Sequence, residues 1–197
     1  MSPGPALAPD PMAGRAGSGG LTFWTVGHAA HPIGEFVALL EGFGIRVLAD
    51  VRRAPGSRHA PQFNGDALAA SLRAAGIGYV HIPELGGWRK ARTDSPNGAW
   101  TNRSFRAYAD HMATPEFERG MERLLGAAAA GPVACVCAEG LWWRCHRRLL
   151  SDALVARGHE VVHILPDGHR ELHSLTAGAV AEGPHLVYPP QQPSLGI

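Results

Sequence analysis

The sequence predicts an α/β fold: a single three-layer domain with a mainly parallel sheet of about five strands and helices on both faces. Two observations carry that expectation. Short β-prone runs alternate with segments of helical apolar spacing in the order β-α-β-α-β, which argues for right-handed crossovers between parallel strands. Further on, the apolar run Val133 to Cys137 hands over to a segment with Leu149, Leu150, Leu154 and Val155 at helical spacing.

The elements follow in order. Leu21 to Val26 is a first strand ending at Gly27-His28, and Pro32 opens a helix with the apolar face Phe36, Val37, Leu39, Leu40 and Phe43, closed by Gly42 and Gly44. Ile45 to Val51 is a second strand. Ala67 to Ala75 is a helix stopped by Gly76, and Ile77 to Ile82 is a third strand before Pro83. A long loop, Glu84 to Asn102, exceeds the usual length for a compact domain, so it is expected to border a site. Helices at Phe105 to Met112 and Pro115 to Ala130 lead to the fourth strand and the Cys145 helix, and a fifth strand covers Glu160 to Leu165. The expected organisation is a disordered tail over 1–20, an α/β domain over 21–175 and a Pro-rich tail over 176–197, to which the sequence assigns no role.

Composition narrows the function. Lys+Arg 18 against Asp+Glu 17 gives a net charge of +1, so no global field draws the chain to nucleic acid or to an anionic membrane. No apolar run approaches the roughly 18 residues that cross a bilayer, and Met1 to Gly20 lacks the apolar core of a signal peptide. Three cysteines cannot all pair, and Cys135 and Cys137 are too close in a strand to bridge easily. A cytoplasmic, reducing location is therefore expected. Oligomeric state is not legible.

Parallel strands would bring their exits to one edge: His28, Asp50 with Arg52, Glu84, and Cys137 with Glu139. Ligands bind outside the carboxyl ends of such strands. Alternation puts Asp50 and Arg52 on one face, and Cys135, Cys137 and Glu139 on one face, without saying which face meets solvent. Arg52, Arg53 and Arg58 occupy one short loop and Arg89 another, and planar guanidinium forks suit phosphate or carboxylate. Arg144, Arg147 and Arg148 oppose the dipole of the helix they begin, so something negative should offset them: Glu139, a bound anion or a thiolate.

Cys145, at a helix start among arginines, has the features that lower a thiol pKa, whereas Cys135 reads as packing and Cys137 lies between. Residues at i and i+1 on a helix diverge, so His28 or Glu139, rather than His146, is the expected base for Cys145. Cys137, Cys145, His146 and His28 make a competing metal set, but their spacing fits no usual zinc template. No metal ligand or cofactor is assigned, and a transition metal is kept as an alternative. The scatter of His163, His169, His173 and His185 fits no ligand template either. Trp142 and Trp143 serve as packing or as a stacking platform, which admits nucleic acid without favouring it.

Thr25-Val26-Gly27-His28, Ala49-Asp50-Val51-Arg52, Pro55-x-Ser57-Arg58 with Phe63-Asn64, Leu85-Gly86-Gly87-x-Arg89 and Cys137-Ala138-Glu139 followed by Cys145-His146-Arg147 together resemble the bacterial family called domain of unknown function 488. The likeness runs from about Thr22 to about His173 and implies a compact α/β domain with no agreed reaction. The motif positions are Gly27, His28, Asp50, Arg52, Ser57, Arg58, Gly86, Gly87, Arg89, Cys137, Glu139, Cys145, His146 and Arg147. The Cys137 loop also invites comparison with the Cys-x₅-Arg anion loops of rhodaneses and small phosphatases, but Arg144 stands one residue too far.

The expected function is an enzyme acting on a small anionic, phosphorylated or nucleotide-like molecule. Cys137, Glu139, Cys145, His28 and Asp50 are the candidate catalytic groups. Gly27, Arg52, Ser57, Arg58, Gly86, Gly87, Arg89, His146 and Arg147 are the candidate substrate contacts. A non-catalytic nucleotide or nucleic-acid module and a Cys/His metalloprotein are the alternatives.

Overall fold

In the computed structural model, which describes residues 19–182 and 185–190, the strands are β1 (Thr22–Gly27), β2 (Val47–Asp50), β3 (Gly78–His81), β4 (Val133–Cys137), β5 (Glu160–Ile164) and β6 (Arg170–Leu172). They form one sheet in the order β3-β2-β4-β1-β5-β6, parallel throughout except for antiparallel β6. The α/β class is therefore as expected, with one strand more than the apolar runs alone announce.

The helices are α1 (Ile33–Gly42), α2 (Gly65–Ala74), α3 (Arg103–His111), α4 (Pro115–Ala127) and α5 (Arg147–Ala156). Period-two alternation divides β1, β2, β4 and β5 between two cores. Trp24, Val26, Leu48, Ala134, Val136 and Ile164 pack against Phe36 and Leu40 of α1 and Leu68 and Leu72 of α2. Phe23, Val47, Ala49, Val133, Cys135 and Val161 pack against Tyr108, Phe117, Met121, Leu124, Leu149 and Leu150 of α3, α4 and α5. Local chemistry fixes where helices begin. The Asn102 side chain accepts from the Ser104 and Phe105 amides, and the Thr114 hydroxyl accepts from Phe117 just before Pro115.

One finding departs from the expected organisation. The tail after residue 175 folds back as the hairpin β7 (Val180–Glu182) and β8 (His185–Val187), and Leu186 and Tyr188 are buried in the α5 core. Three-residue strands carry too little periodicity to be read from sequence. The N-terminal tail assignment lies, for residues 1–18, outside the described residues. Among the described residues no helix is long and apolar enough to cross a membrane.

Chain direction shapes the carboxyl edge. β1 and β2 lead into the α1/α2 layer, while β4, between them, leads to α5 on the other side. Neighbouring strands whose connections part in this way create the crevice in which α/β folds place ligands.

Candidate active centre

Cys137 ends β4 on the α5 side of the sheet, sharing parity with Cys135. The chain then turns through Glu139 to Leu141 and a single 3₁₀ turn, Trp142–Arg144, and returns to the same edge at Cys145. Cys145 is not helical. Its φ of −123° and ψ of 154° are extended, and α5 begins only at Arg147, with His146 as its capping residue. That conformation removes the objection to His146, because the divergence of i and i+1 side chains holds within a helix and Cys145 stands outside one. His146 Nδ1 lies 3.5 Å from Cys145 Sγ and 3.9 Å from Cys137 Sγ.

The tautomer of His146 follows from its other nitrogen. Nε2–H donates to the Val51 carbonyl at 3.1 Å, so in the neutral ring Nδ1 carries a lone pair directed at the sulfurs. The Tyr108 ring tilts against the imidazole at 5.1 Å, and Gly87 keeps the adjoining space open, since a Cβ there would stand 3.1 Å from Nδ1. Cys145 is buried and Cys137 half-buried, and Cys135 is free and enclosed in the sheet. Its hydrogen bond to Cys145 and its burial hold the Cys137 thiol well above the ordinary cysteine value. Burial also disfavours a Cys145 thiolate. The Cys137 hydrogen bond, His146 and the charge of Arg147 nevertheless bring that thiol well below the usual range.

Arg147 is fully buried and meets no carboxylate among the described residues. Nη2 donates to the Glu139 and Gly140 carbonyls, Nη1 donates to Thr25 Oγ1 at 3.4 Å, and Nε has no partner. Arg147 thus pins the loop between the two cysteines and brings an unneutralised positive charge to their side. Gly27 is indispensable to the same junction, because a Cβ would lie 2.1 Å from the Glu139 carbonyl oxygen.

The remaining candidates divide. His28, Asp50 and Arg52 form a second cluster on the α1/α2 side of the edge, with Tyr79 from β3. Asp50 accepts from Arg52 at its amide (3.1 Å), at Nε (2.8 Å) and at Nη2, and from the Tyr79 hydroxyl at 2.8 Å. His28 stacks on Phe63, donates from Nδ1 to the Ala29 carbonyl and accepts at Nε2 from Arg52 Nη1. Burial brings its pKa down to about 4, so it is neutral at pH 7. It makes no hydrogen bond to either sulfur, and His146 is therefore the base that geometry supplies.

Other expected contacts are engaged elsewhere. Arg89 binds the Gly86, Pro83 and Glu84 carbonyls and pairs with Glu116 at 2.9 Å, which leaves its fork no free edge for an anion. Gly86 is a close-approach glycine, because a Cβ would meet the Arg53 backbone at 2.7 Å. Ser57 closes a local turn, accepting from the His59 and Ala60 amides. Arg58 is exposed and unpaired among the described residues, and Glu139 is exposed, with its carboxylate 3.5 Å from the Leu141 amide.

Some functional-looking groups escaped the sequence. Tyr79 and Tyr108 carry no motif signal, and Val51, although it stands in the Ala49-to-Arg52 motif, contributes a backbone carbonyl. A buried line of hydrogen bonds also runs from Arg147 through Thr25, His163 and His173 to Asp152, which accepts from Tyr188 as well. Trp88 was legible only as part of a glycine-rich loop. It is 85% exposed with a φ of 58°, strained for a bulky residue, beside the glycine that faces His146. An open depression of about 350 Å³, lined partly by His159, Glu160 and His173, lies at the amino-terminal end of β5. It is not where the thiols and the imidazole converge.

Fold and site together define an α/β protein with a two-thiol, one-imidazole cluster at the carboxyl edge of its sheet. The chain belongs to the family described as Domain of unknown function DUF488, whose match spans residues 32–154. That span holds Asp50, Arg52 and the whole Cys137-to-Arg147 segment, while Gly27 and His28 precede it. Neither a curated protein nor a solved structure matches the chain.

Proposed function

We propose that the protein is an enzyme acting on a small anionic molecule at the carboxyl edge of the sheet, with Cys137, Cys145 and His146 as its reacting centre. The observation that carries this reading is the meeting of three electron-pair donors beside the unneutralised charge of Arg147. A buried cation without a carboxylate favours negative charge next to it, first on Cys145 and then on a ligand. Exposed Arg144 and Arg58 add positive field, whereas Asp50 is already consumed by Arg52. His146 Nδ1 is the proton acceptor of the centre, and Val51 fixes its orientation. Trp88, exposed beside Gly87, offers a flat apolar surface to cover a bound molecule.

The test is a thermal-shift screen of inorganic phosphate, sugar phosphates and nucleotides, followed by turnover assays of the compounds that stabilise the protein. Cys137→Ser and Cys145→Ser should each abolish turnover while the fold persists by circular dichroism. Full turnover in both variants would refute the reading. Stabilisation by an anion without any product would make the protein a binding module instead.

A further inference from the structure

We infer that Cys137, Cys145 and His146 hold one thiophilic divalent cation of the zinc class, with a coordination position left open toward solvent. The inference rests on the reacting centre proposed above and specifies what its donors do: the two sulfurs ligate a metal rather than attack a substrate, and His146 Nδ1 is then a ligand in place of a proton acceptor.

The convergence of the three ligand atoms carries the inference. Among the described residues, this is the one group of three or more Cys, His, Asp or Glu side chains whose ligand atoms come together, all within 4.8 Å of one another. A neutral imidazole nitrogen has a single lone pair, so it accepts one S–H bond well, yet both sulfurs point at Nδ1. A cation at the centre of the triangle uses all three lone pairs at once. In tetrahedral zinc, bonds of ~2.3 Å to sulfur and ~2.0 Å to nitrogen place S and N about 3.5 Å apart. The observed separations are 3.5 and 3.9 Å.

The surroundings fit as well. A metal-binding histidine ordinarily donates its other N–H to a carbonyl or carboxylate, as His146 does to Val51. Two thiolates are soft ligands that select zinc-class ions over magnesium or calcium. The ligands arrive from the end of β4 and the start of α5, so the sheet and helix hold them without a dedicated zinc-finger loop. This is why the usual close-pair spacing is missing.

Three protein ligands with an open position are the pattern of catalytic rather than structural zinc. On binding, a divalent ion replaces the remaining thiol protons, which pass to solvent, and two thiolates neutralise it. The adjoining Arg147 then leaves the centre with net positive charge. An anionic ligand would take the open position, which explains how an anion can be bound although Arg52 and Arg89 are committed elsewhere.

The full chain, purified without a polyhistidine tag, should carry about one zinc per molecule by elemental analysis. Cobalt(II) added to chelator-treated protein should give intense thiolate-to-metal charge-transfer bands. Cys137→Ser, Cys145→Ser and His146→Ala should each lower metal content at least tenfold, as an order-of-magnitude expectation. Because a variant can fail to fold, the cobalt spectrum of the unaltered chain decides. Absence of those bands, with zinc below about a tenth of an equivalent after incubation with excess zinc, overturns the inference. In that case, loss of turnover in the cysteine variants would leave the reacting centre standing without a metal. Conversely, stoichiometric zinc with a cobalt spectrum that inorganic phosphate and the other screened anions leave unchanged upholds the cation and removes the anionic substrate.

Discussion

Two polar clusters sit on opposite sides of one sheet edge, and they differ in whether their chemistry is spent. In the Asp50, Arg52, His28 and Tyr79 cluster the carboxylate is saturated by four donors and both histidine nitrogens are used. In the Cys137, Cys145 and His146 cluster three soft ligand atoms converge within 4.8 Å of one another, and none of them is held by a carboxylate. Saturation marks a structural network, and convergent ligand atoms mark a site. The sharpest way to break this contrast is Asp50→Asn. It leaves Arg52, 7% exposed, as a buried cation without its counter-charge, and should cost about 3–5 kcal/mol in urea unfolding. A loss below about 0.5 kcal/mol, within the ordinary range of surface changes, would show that the first cluster does not hold the fold together.

Acid should separate the clusters next. Burial lowers His28 to about 4 and His163 to about 2, and it lowers His111 as well, so all three stay neutral in the fold where the unfolded chain begins to bind protons. Their stabilising effect is complete above the unfolded value of 6.5. It is lost as pH falls from there, through about 4 for His28 and on to about 2 for His163. Each such histidine should remove about 1.4 kcal/mol per pH unit in that window. Urea midpoints between pH 7.5 and 4.5 measure the slope, and His28→Gln should make it shallower by about one proton. An unchanged slope in that variant would mean that His28 charges in the fold and is not tied to Arg52 as a neutral acceptor.

Much of this edge was legible because it follows from strand order and parity. The alternation of elements placed His28, Asp50, Arg52, Cys137 and Cys145 at one end of the sheet, and two-residue periodicity joined Asp50 to Arg52. What parity could not supply was the side. Asp50 follows Leu48 into the α1/α2 layer and Cys137 follows Cys135 into the α5 layer, so the apparent single site is two. The thiol cluster itself was hidden by a backbone detail. Whether Cys145 is the first residue of a helix or the last extended residue before one decides whether its sulfur meets His146, and helix boundaries are uncertain by a residue or two. Arginine roles were equally opaque. Arg89 and Arg147 look like anion ligands in sequence, and their partners prove to be mainly backbone carbonyls, with Glu116 for Arg89 and Thr25 for Arg147, which only folding brings near.

A smaller change sharpens the account of the saturated cluster. Tyr79→Phe removes one of the four donors to Asp50 and leaves the other three, all from Arg52, so the loss should be about 1.5–3 kcal/mol, less than for Asp50→Asn. Tyr79 titrates above the range of ordinary phenols because of its burial and the neighbouring Asp50 charge, and the variant should abolish a tyrosine transition delayed in alkaline spectrophotometric titration. Stability equal to that of the unaltered protein would mean that Arg52 alone satisfies the carboxylate.

The smallest expected effect falls on Glu139, which lies between the two cysteines yet belongs to neither cluster through its side chain. Its carbonyl anchors Arg147, whereas its carboxylate is exposed and makes only a long contact with the Leu141 amide. Glu139→Gln keeps the backbone and should change unfolding stability by less than about 0.5 kcal/mol. It should also leave zinc content unchanged, because the carboxylate is not among the three convergent ligand atoms. Loss of metal in this variant would enlarge the centre to four protein ligands and close the position assigned to an anion. Unaltered metal with reduced turnover would make Glu139 a proton-handling group at the mouth of an open site, the role that its exposure and its place in the loop allow.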